Sequence, residues 1–316
     1  MSVNNFKAGQ IYEVLCQKFW ESVYTQTARE TTRWEFTESI KHVRTGGIDI
    51  SRYINGNIKL EVKRLKIGKG RLSDFWGLVP RHNPSACQNA LEVEKDMRES
   101  LDLGILHHVE RDSPEGRQGR LFMALSMVPK KASSWRLCAD TFTLNAFSRQ
   151  KAFSCAYQDL RELPLRFENN PHKPARMHVL DMEKFYWQFN VLHKDRHLLS
   201  FIWNGEIFEF TVMPFGWSIA PFVAQYLHEM LAASLNHTEC ESNVYIDDAI
   251  YRGDKSKILL TYEAGGIAIS VEKSKFDLRA GEEIEYLGVS VNIQERYDKM
   301  EILKLKEKIW KKTKKF

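Results

Sequence analysis

The sequence has few cysteines, no long apolar run and no low-complexity segment. Its five cysteines are scattered along 316 residues and no two form a CxxC pair. This spacing disfavours a zinc site or a disulfide framework and fits a reducing compartment. The sequence contains no stretch of 18 apolar residues, so no membrane span is predicted. The first twenty residues lack the basic start and apolar run of a signal peptide. We therefore expect an intracellular protein, in the cytoplasm or the nucleus, with no membrane partner.

The composition is that of a protein with a packed core. Hydrophobic residues make up 43% and aromatic residues 12% of the chain, which excludes a disordered or collagen-like sequence. Lys and Arg together number 46 and Asp and Glu 41, so the formal net charge is +5. This mildly basic balance permits a nucleic-acid partner but does not require one.

Short apolar runs in the middle of the chain predict strands. The run at 177–180 leads directly into Asp181, and Asn204-Gly205 between two further runs indicates a tight hairpin, since both turn residues need positive φ. A helix is expected to begin near 218–221. Its predicted inward-facing residues are Phe222, Tyr226, Met230 and Leu231.

The next apolar run, 244–246, ends in Asp247 and Asp248, which predicts two carboxylates at the tip of a hairpin. A helix is expected from about Lys255 to the Gly265-Gly266 pair, followed by short strands at 267–271 and 284–292. From Ile302 onward the Lys-rich pattern favours a helix. This order predicts an α+β domain with an antiparallel sheet and helices on one face.

Each of the three carboxylates Asp181, Asp247 and Asp248 follows an apolar run. A carboxylate at such a strand end is partly desolvated, and several together repel one another unless a cation compensates. Oxygen ligands of this kind suit Mg²⁺ or Mn²⁺, and two such ions form a clamp for in-line attack at phosphorus. Asp181 as a helix cap and Asp247-Asp248 as a plain polar turn remain open as alternatives.

Six segments in order extend this pattern. Tyr245-Ile246-Asp247-Asp248 resembles the YxDD box of reverse transcriptases, and Asp181 with an aromatic residue five positions later resembles their first catalytic box. Met213 to Pro221 is similar to their LPFGxxxAP segment, in the form common in long-terminal-repeat and DIRS-like retrotransposons. The remaining similar segments are Val128-Pro129-Lys130-Lys131 with Trp135-Arg136 and Leu144-Asn145, Gly266 with Glu272-Lys273, and Tyr286-Leu287-Gly288.

The resemblance implies a right-hand polymerase fold with an antiparallel palm sheet, helices on one face of it and a fingers subdomain. The implied divisions are an N-terminal extension of unclear role at 1–59, fingers at 60–175, a palm at 176–290 and the start of a thumb at 291–316. The thumb is expected to be truncated, and the chain to be a fragment, a truncated copy or one exon of a larger polyprotein.

The resemblance also implies roles for individual residues. Asp181, Asp247 and Asp248, helped by the Met182 carbonyl, are expected to hold two Mg²⁺ or Mn²⁺ ions. The residues implied in nucleotide binding and its chemistry are Lys130 or Lys131 and Arg136 for the triphosphate, Tyr186 as a steric gate against a 2′-hydroxyl, Gly216 for close approach to the base pair or template, and Lys273 as a proton donor to pyrophosphate.

The implied function is RNA-directed DNA synthesis by a retroelement reverse transcriptase. Its expected partners are a primed RNA or DNA template and deoxynucleoside triphosphates. One alternative is a decayed or co-opted domain that binds nucleic acid without synthesis, favoured by the short thumb and by unusual residues at Phe142, Lys184 and Phe185. An RNA-dependent RNA polymerase is disfavoured by Tyr186, because such an enzyme must accommodate the 2′-hydroxyl.

Overall fold

The computed structural model describes residues 40–54, 80–129, 135–148, 176–236, 240–279, 282–293 and 300–305. The chain divides into two compact units. The described residues of Val43–Ser154 and Tyr186–Phe222 build the first unit, and those of Ile11–His42, Cys155–Phe185 and Val223–Phe316 belong to the second. Within the described residues, no helix has both the length and the hydropathy needed to cross a membrane.

Five α-helices and twelve strands can be delimited in the described residues. The helices are α1 (Pro84–Gln88), α2 (Ala90–Asp102), α3 (Phe142–Phe147), α4 (Ala220–Asn236) and α5 (Lys255–Gly265). The strands are β1 (Leu106–Val109), β2 (Ala124–Pro129), β3 (Trp135–Asp140), β4 (Met177–Asp181), β5 (Ser200–Trp203), β6 (Glu206–Phe210), β7 (Glu241–Tyr245), β8 (Asp248–Arg252), β9 (Lys275–Leu278), β10 (Glu283–Tyr286), β11 (Val289–Ile293) and β12 (Met300–Leu305).

The first unit contains two antiparallel sheets, one of β1-β6-β5 and one of β2-β3. The β5–β6 turn confirms the predicted hairpin, with φ of 50° at Asn204 and 84° at Gly205. Apolar side chains from β1, β5 and β6 pack with Phe122 as a buried cluster. Burial of these side chains from water fixes which face of the hairpin lies inward.

The second unit contains an antiparallel sheet in the order β7-β8-β4-β9, which places β4 between two neighbours. Helix α5 begins where the Asp254 side chain accepts the amide hydrogens of Ser256 and Lys257. It ends at Gly266, whose φ of 67° is the left-handed conformation typical of a helix C-cap. The predicted extent of this helix is therefore confirmed.

Three sequence-based expectations need correction. Residues 267–271 form only an isolated bridge at Ile269 before a turn, because the chain reverses there instead of continuing alongside a neighbour. The predicted strand at 284–292 is divided into β10 and β11 by a turn at Leu287-Gly288. The start of the predicted C-terminal helix is wrong, since 302–305 belongs to β12 and pairs with β11.

Helix α4 is buried on most of its surface, which confirms Tyr226, Met230 and Leu231 as core residues. Phe222 is only half-buried, contrary to its predicted inward position. Helix α5 packs closely against α4 at Gly265, where a Cβ atom would lie 2.9 Å from the Leu231 side chain.

Candidate active site

The strand register places two of the predicted catalytic carboxylates side by side. Asp181 is the last residue of β4, Asp248 is the first of β8, and the two are direct partners in the antiparallel pairing. Side chains of directly opposed residues lie on the same face, with Cβ atoms roughly 4.5–5.5 Å apart. Two carboxylates 67 positions apart in sequence therefore meet at one end of the sheet.

The third carboxylate lies in the turn between β7 and β8. Tyr245 pairs with Asp248, so the loop of this hairpin consists of Ile246 and Asp247 alone. Asp247 is exposed, and its carbonyl oxygen accepts the Met182 amide hydrogen at 2.8 Å. We call β7, this two-residue loop and β8 the aspartate hairpin; its tip is bonded to the residue that follows β4.

The charges of this cluster act on Asp248. The pKa of Asp248 is raised to about 7, mainly by burial and further by the negative charges of Asp247 and Asp181, while the Lys273 ammonium opposes the rise. The Lys273 Nζ lies 3.0 Å from Asp181 Oδ1. A half-buried carboxylate beside two others is thus destabilised in its ionised form unless positive charge is close.

A turn between α5 and β9 fixes the position of Asp181. Its amide donates to Ser274 Oγ at 3.1 Å, and its carbonyl oxygen accepts from the Ser270 amide at 2.8 Å. Together with the Lys273 contact, these bonds hold both the backbone and the side chain of Asp181. The Lys273 side chain is two-thirds exposed, so its ion pair adds little to stability.

The donor set fits a divalent cation. It offers the carboxylate oxygens of Asp181, Asp247 and Asp248, which are hard ligands of the type Mg²⁺ and Mn²⁺ prefer. Among the described residues, no group of three or more Asp, Glu, His or Cys side chains is arranged so that it could hold a metal ion as it stands, so the fit rests on the chemistry of the donors and not on a formed site. The strand register places Asp181 opposite Asp248, and the negative charges of Asp181 and Asp247 destabilise ionised Asp248. A bound cation would stabilise the cluster because it would neutralise this repulsion.

The first unit gathers two other predicted site residues around one aromatic ring. Arg136, exposed on β3, places its guanidinium 5.1 Å from the centroid of the Phe215 ring. The Tyr186 ring meets the same Phe215 ring edge to face, with centroids 5.2 Å apart. Phe215 therefore contacts both the Arg136 guanidinium and the Tyr186 ring, the two side chains for which the family resemblance implies nucleotide binding.

Gly216 has a backbone reason to be glycine. Its φ is 104°, and a Cβ atom there would lie 2.8 Å from the Ala139 carbonyl oxygen. The Asn145 side chain donates to the Gly216 carbonyl at 2.9 Å and accepts from the Ser218 amide at 2.8 Å. The close approach thus involves the end of β3; the predicted approach to a base pair or template stays a prediction.

Lys130 and Lys131 lie outside the described residues. The sequence analysis missed Ser270 and Ser274, whose contacts with Asp181 depend on a turn that no local pattern identified. It also missed Gln225 and His228 of α4. The helical spacing in this segment was used only to find inward-facing apolar residues, so the polar residues of the same helix were not considered.

A family model for "Reverse transcriptase (RNA-dependent DNA polymerase)" matches residues 128–291, slightly more than half of the chain. The chain belongs to the reverse transcriptase family. The matched residues include β4 and the aspartate hairpin, and reverse transcriptases in general use divalent metal ions. The family predicted from the six segments is therefore confirmed, while the retrotransposon type stays a prediction.

Solved structures of foamy virus proteins are similar to this reverse transcriptase chain. The prototype foamy virus protease-reverse transcriptase CSH mutant matches with a TM-score of 0.53 and 16% identity, over 85% of this chain and 36% of that one. A foamy viral protease-reverse transcriptase in complex with dsDNA matches with a TM-score of 0.51 and 18% identity, over 87% and 57%. The chain therefore spans less than two thirds of the length of either, and the matches support the predicted polymerase fold with antiparallel sheets.

Proposed function

We propose that this reverse transcriptase chain carries out RNA-directed DNA synthesis, adding deoxynucleotides to a primer 3′-hydroxyl. The observation that carries the proposal is the register of β4 against β8, which sets Asp181 beside Asp248 and next to the Asp247 turn. Such a concentration of carboxylates at one sheet end has a chemical use when divalent cations neutralise it.

In this proposal Asp181, Asp247 and Asp248 hold two Mg²⁺ or Mn²⁺ ions, with the Met182 carbonyl as a further ligand. Divalent cations bound there would lower the pKa of the primer 3′-hydroxyl and stabilise the charge of the departing pyrophosphate. The three carboxylates would fix the positions of these cations. Lys273, which already donates to Asp181, would donate a proton to the pyrophosphate as it leaves.

The nucleotide-binding part of the proposal assigns the triphosphate to Arg136 together with Lys130 or Lys131. An Arg fork can bind phosphate oxygens through two parallel hydrogen bonds, and Phe215 restricts its motion beforehand. Tyr186, held against the same ring, would leave no room for a 2′-hydroxyl and so select deoxynucleotides.

The partners proposed are a primed RNA or DNA template and deoxynucleoside triphosphates. A net charge of +5 favours contact with phosphate backbones. One of the similar foamy viral structures is described as a complex with dsDNA, a duplex of the kind that a primed template provides. An intracellular location accompanies the proposal, since its nucleotides and templates are found there.

Primer extension on an RNA template with Mg²⁺ or Mn²⁺ tests the proposal. We expect the wild-type chain to extend a DNA primer and Asp247→Asn to abolish extension. Glu263→Gln, which removes an exposed negative charge from α5 of the same unit, is the matched control and should extend normally.

Extension by Asp247→Asn at the wild-type rate would refute the assigned site. Binding of the primed template without metal-dependent extension by the wild-type chain would instead identify a nucleic-acid-binding domain that no longer synthesises DNA.

A further inference from the structure

The residue before the catalytic pair has an unfavourable backbone conformation. Ile246 has a φ of 53°, in the left-handed region that a β-branched residue rarely adopts. Positive φ at the first residue of a two-residue hairpin loop is typical of glycine. Such strain persists only where surrounding contacts stabilise the strained conformation. We therefore expect other residues of this unit to bind the Ile246 backbone.

Two side chains of helix α4 bind both polar groups of the Ile246 backbone. Gln225 Oε1 accepts the Ile246 amide hydrogen at 2.6 Å, and His228 Nδ1 lies 2.7 Å from the Ile246 carbonyl oxygen. The Gln225 amide nitrogen also donates to the Val244 carbonyl of β7 at 3.1 Å. Gln225 and His228 are three residues apart and lie on the same face of α4. This helix therefore binds the backbone of the hairpin turn through two side chains.

The partners of His228 specify which ring nitrogen carries the hydrogen. A carbonyl oxygen only accepts, so Nδ1 must donate to Ile246, and Nε2 of the neutral ring then accepts from the Tyr262 hydroxyl of α5. The Tyr262 hydroxyl oxygen lies 2.8 Å from that of Tyr251 in β8. The Phe185 ring packs edge-on against the imidazole at 5.4 Å. His228, Tyr262 and Tyr251 are all at most 1% exposed, so this chain of hydrogen bonds is shielded from water.

We propose that His228, together with Gln225, is a positioning residue of the active site: it holds Ile246 in its left-handed conformation and thereby aims Asp247 and Asp248. This inference rests on the function proposed above. His228 touches neither carboxylate; it acts through the backbone that carries them. Loss of its hydrogen bond would loosen the hairpin tip and slow the chemical step, while nucleotide binding by the first unit would continue.

Replacements of His228 that keep or remove the donor at Nδ1 separate this role from simple core packing. His228→Leu removes both ring nitrogens, whereas His228→Asn places an amide N–H near the position of the Nδ1 hydrogen. We expect His228→Leu to lower kcat by about tenfold or more with the KM for deoxynucleotide changed by less than about twofold. His228→Asn should recover most of the loss. Ser234→Ala, which removes a buried hydroxyl that donates to the Leu231 carbonyl of the same helix, is the matched control and should behave as wild type.

Hydrogen–deuterium exchange of the full chain provides a readout that does not need catalysis. In His228→Leu the peptide that contains 243–249 should exchange about threefold faster or more, while the peptide of β4 should not change. Ser234→Ala should leave both peptides at the wild-type rate. If the wild-type chain fails to extend primers, the proposed function fails, and this exchange comparison alone decides the role of His228.

An unchanged kcat and unchanged hairpin exchange in His228→Leu would overturn the proposal. If His228→Leu does not fold, His228→Asn is compared with His228→Gln, whose longer side chain carries its amide towards Tyr262 and away from Ile246. Activity kept by Asn and lost by Gln supports the proposal, and equal activity of the two overturns it.

Discussion

Asp248 is the residue at which stability and the proposed function conflict most clearly. Its half-buried carboxylate has a pKa raised to about 7, first by burial and then by the charges of Asp247 and Asp181. The unfolded chain ionises this group near its ordinary pKa of 3.8. The raised pKa therefore lowers the free energy of unfolding by its full amount above about pH 7, where Asp248 is ionised in the folded protein. This destabilisation diminishes as the pH falls towards 4.

Replacing this carboxylate should stabilise the metal-free protein. We expect Asp248→Asn to raise the free energy of unfolding by about 1–2 kcal/mol at pH 8 in a chelating buffer, because water screens part of the unfavourable charge of this half-buried group. Urea denaturation measures the change, which should diminish towards pH 4. Glu263→Gln should stay within about 0.5 kcal/mol of wild type. A destabilised Asp248→Asn would show that burial and the neighbouring charges do not penalise the ionised Asp248 carboxylate in this way.

Tyr186 offers a test of sugar selection. Its ring is half-buried and held edge-on by Phe215, so replacing it with a small side chain opens space where the sugar is proposed to bind. Tyr186→Val should raise ribonucleotide incorporation relative to deoxynucleotide incorporation by about tenfold or more. Tyr186→Phe keeps the ring and should keep the selectivity. If the valine variant selects sugars as the wild type does, Tyr186 is not the gate.

At the scale of elements, the loop that contains Gly216 shows how backbone contacts fix a motif. Its φ of 104° and its approach to the end of β3 leave no room for a side chain. Gly104 also has positive φ, at 67°, but a Cβ atom there would meet nothing within 4 Å. The two glycines differ in their surroundings, not only in their conformational freedom.

This difference predicts unequal costs of substitution. Gly104→Ala should lower the free energy of unfolding by about 1 kcal/mol, the usual cost of a left-handed alanine, and Gly216→Ala by about 2–3 kcal/mol, because the Ala139 carbonyl must also move. Chemical denaturation of both variants measures the costs. Equal losses would mean that the close contact with β3 contributes nothing.

The elements that sequence reasoning found are those with a local cause. Asn204-Gly205 satisfies the backbone needs of its turn by itself, and Gly266 ends α5 for the same reason. The strand at 302–305 has no such local cause: its apolar and Lys residues suit a helix or a strand, and pairing with β11 decides between them. In the same way, the contacts of His228 and Ser274 join residues far apart in sequence, so only the fold reveals them.

At the scale of the whole chain, the proposed site residues fall into two groups. Asp181, Met182, Asp247, Asp248 and Lys273 belong to the second unit, as do Gln225 and His228, which bind the backbone of the aspartate hairpin. Arg136, Tyr186 and Gly216 belong to the first unit. Cation binding and nucleotide selection can therefore be tested by separate substitutions in the same chain.

The assembly of Asp181, Asp247 and Asp248 into one cation site is tested most directly by titrating the full chain with Mn²⁺ and following the free ion by electron paramagnetic resonance. We expect the wild type and Glu263→Gln to bind Mn²⁺ alike, and Asp181→Asn and Asp247→Asn each to weaken binding by about tenfold or more, since each removes one anionic ligand. Equal Mn²⁺ affinities for the wild type and both Asn variants would contradict the account.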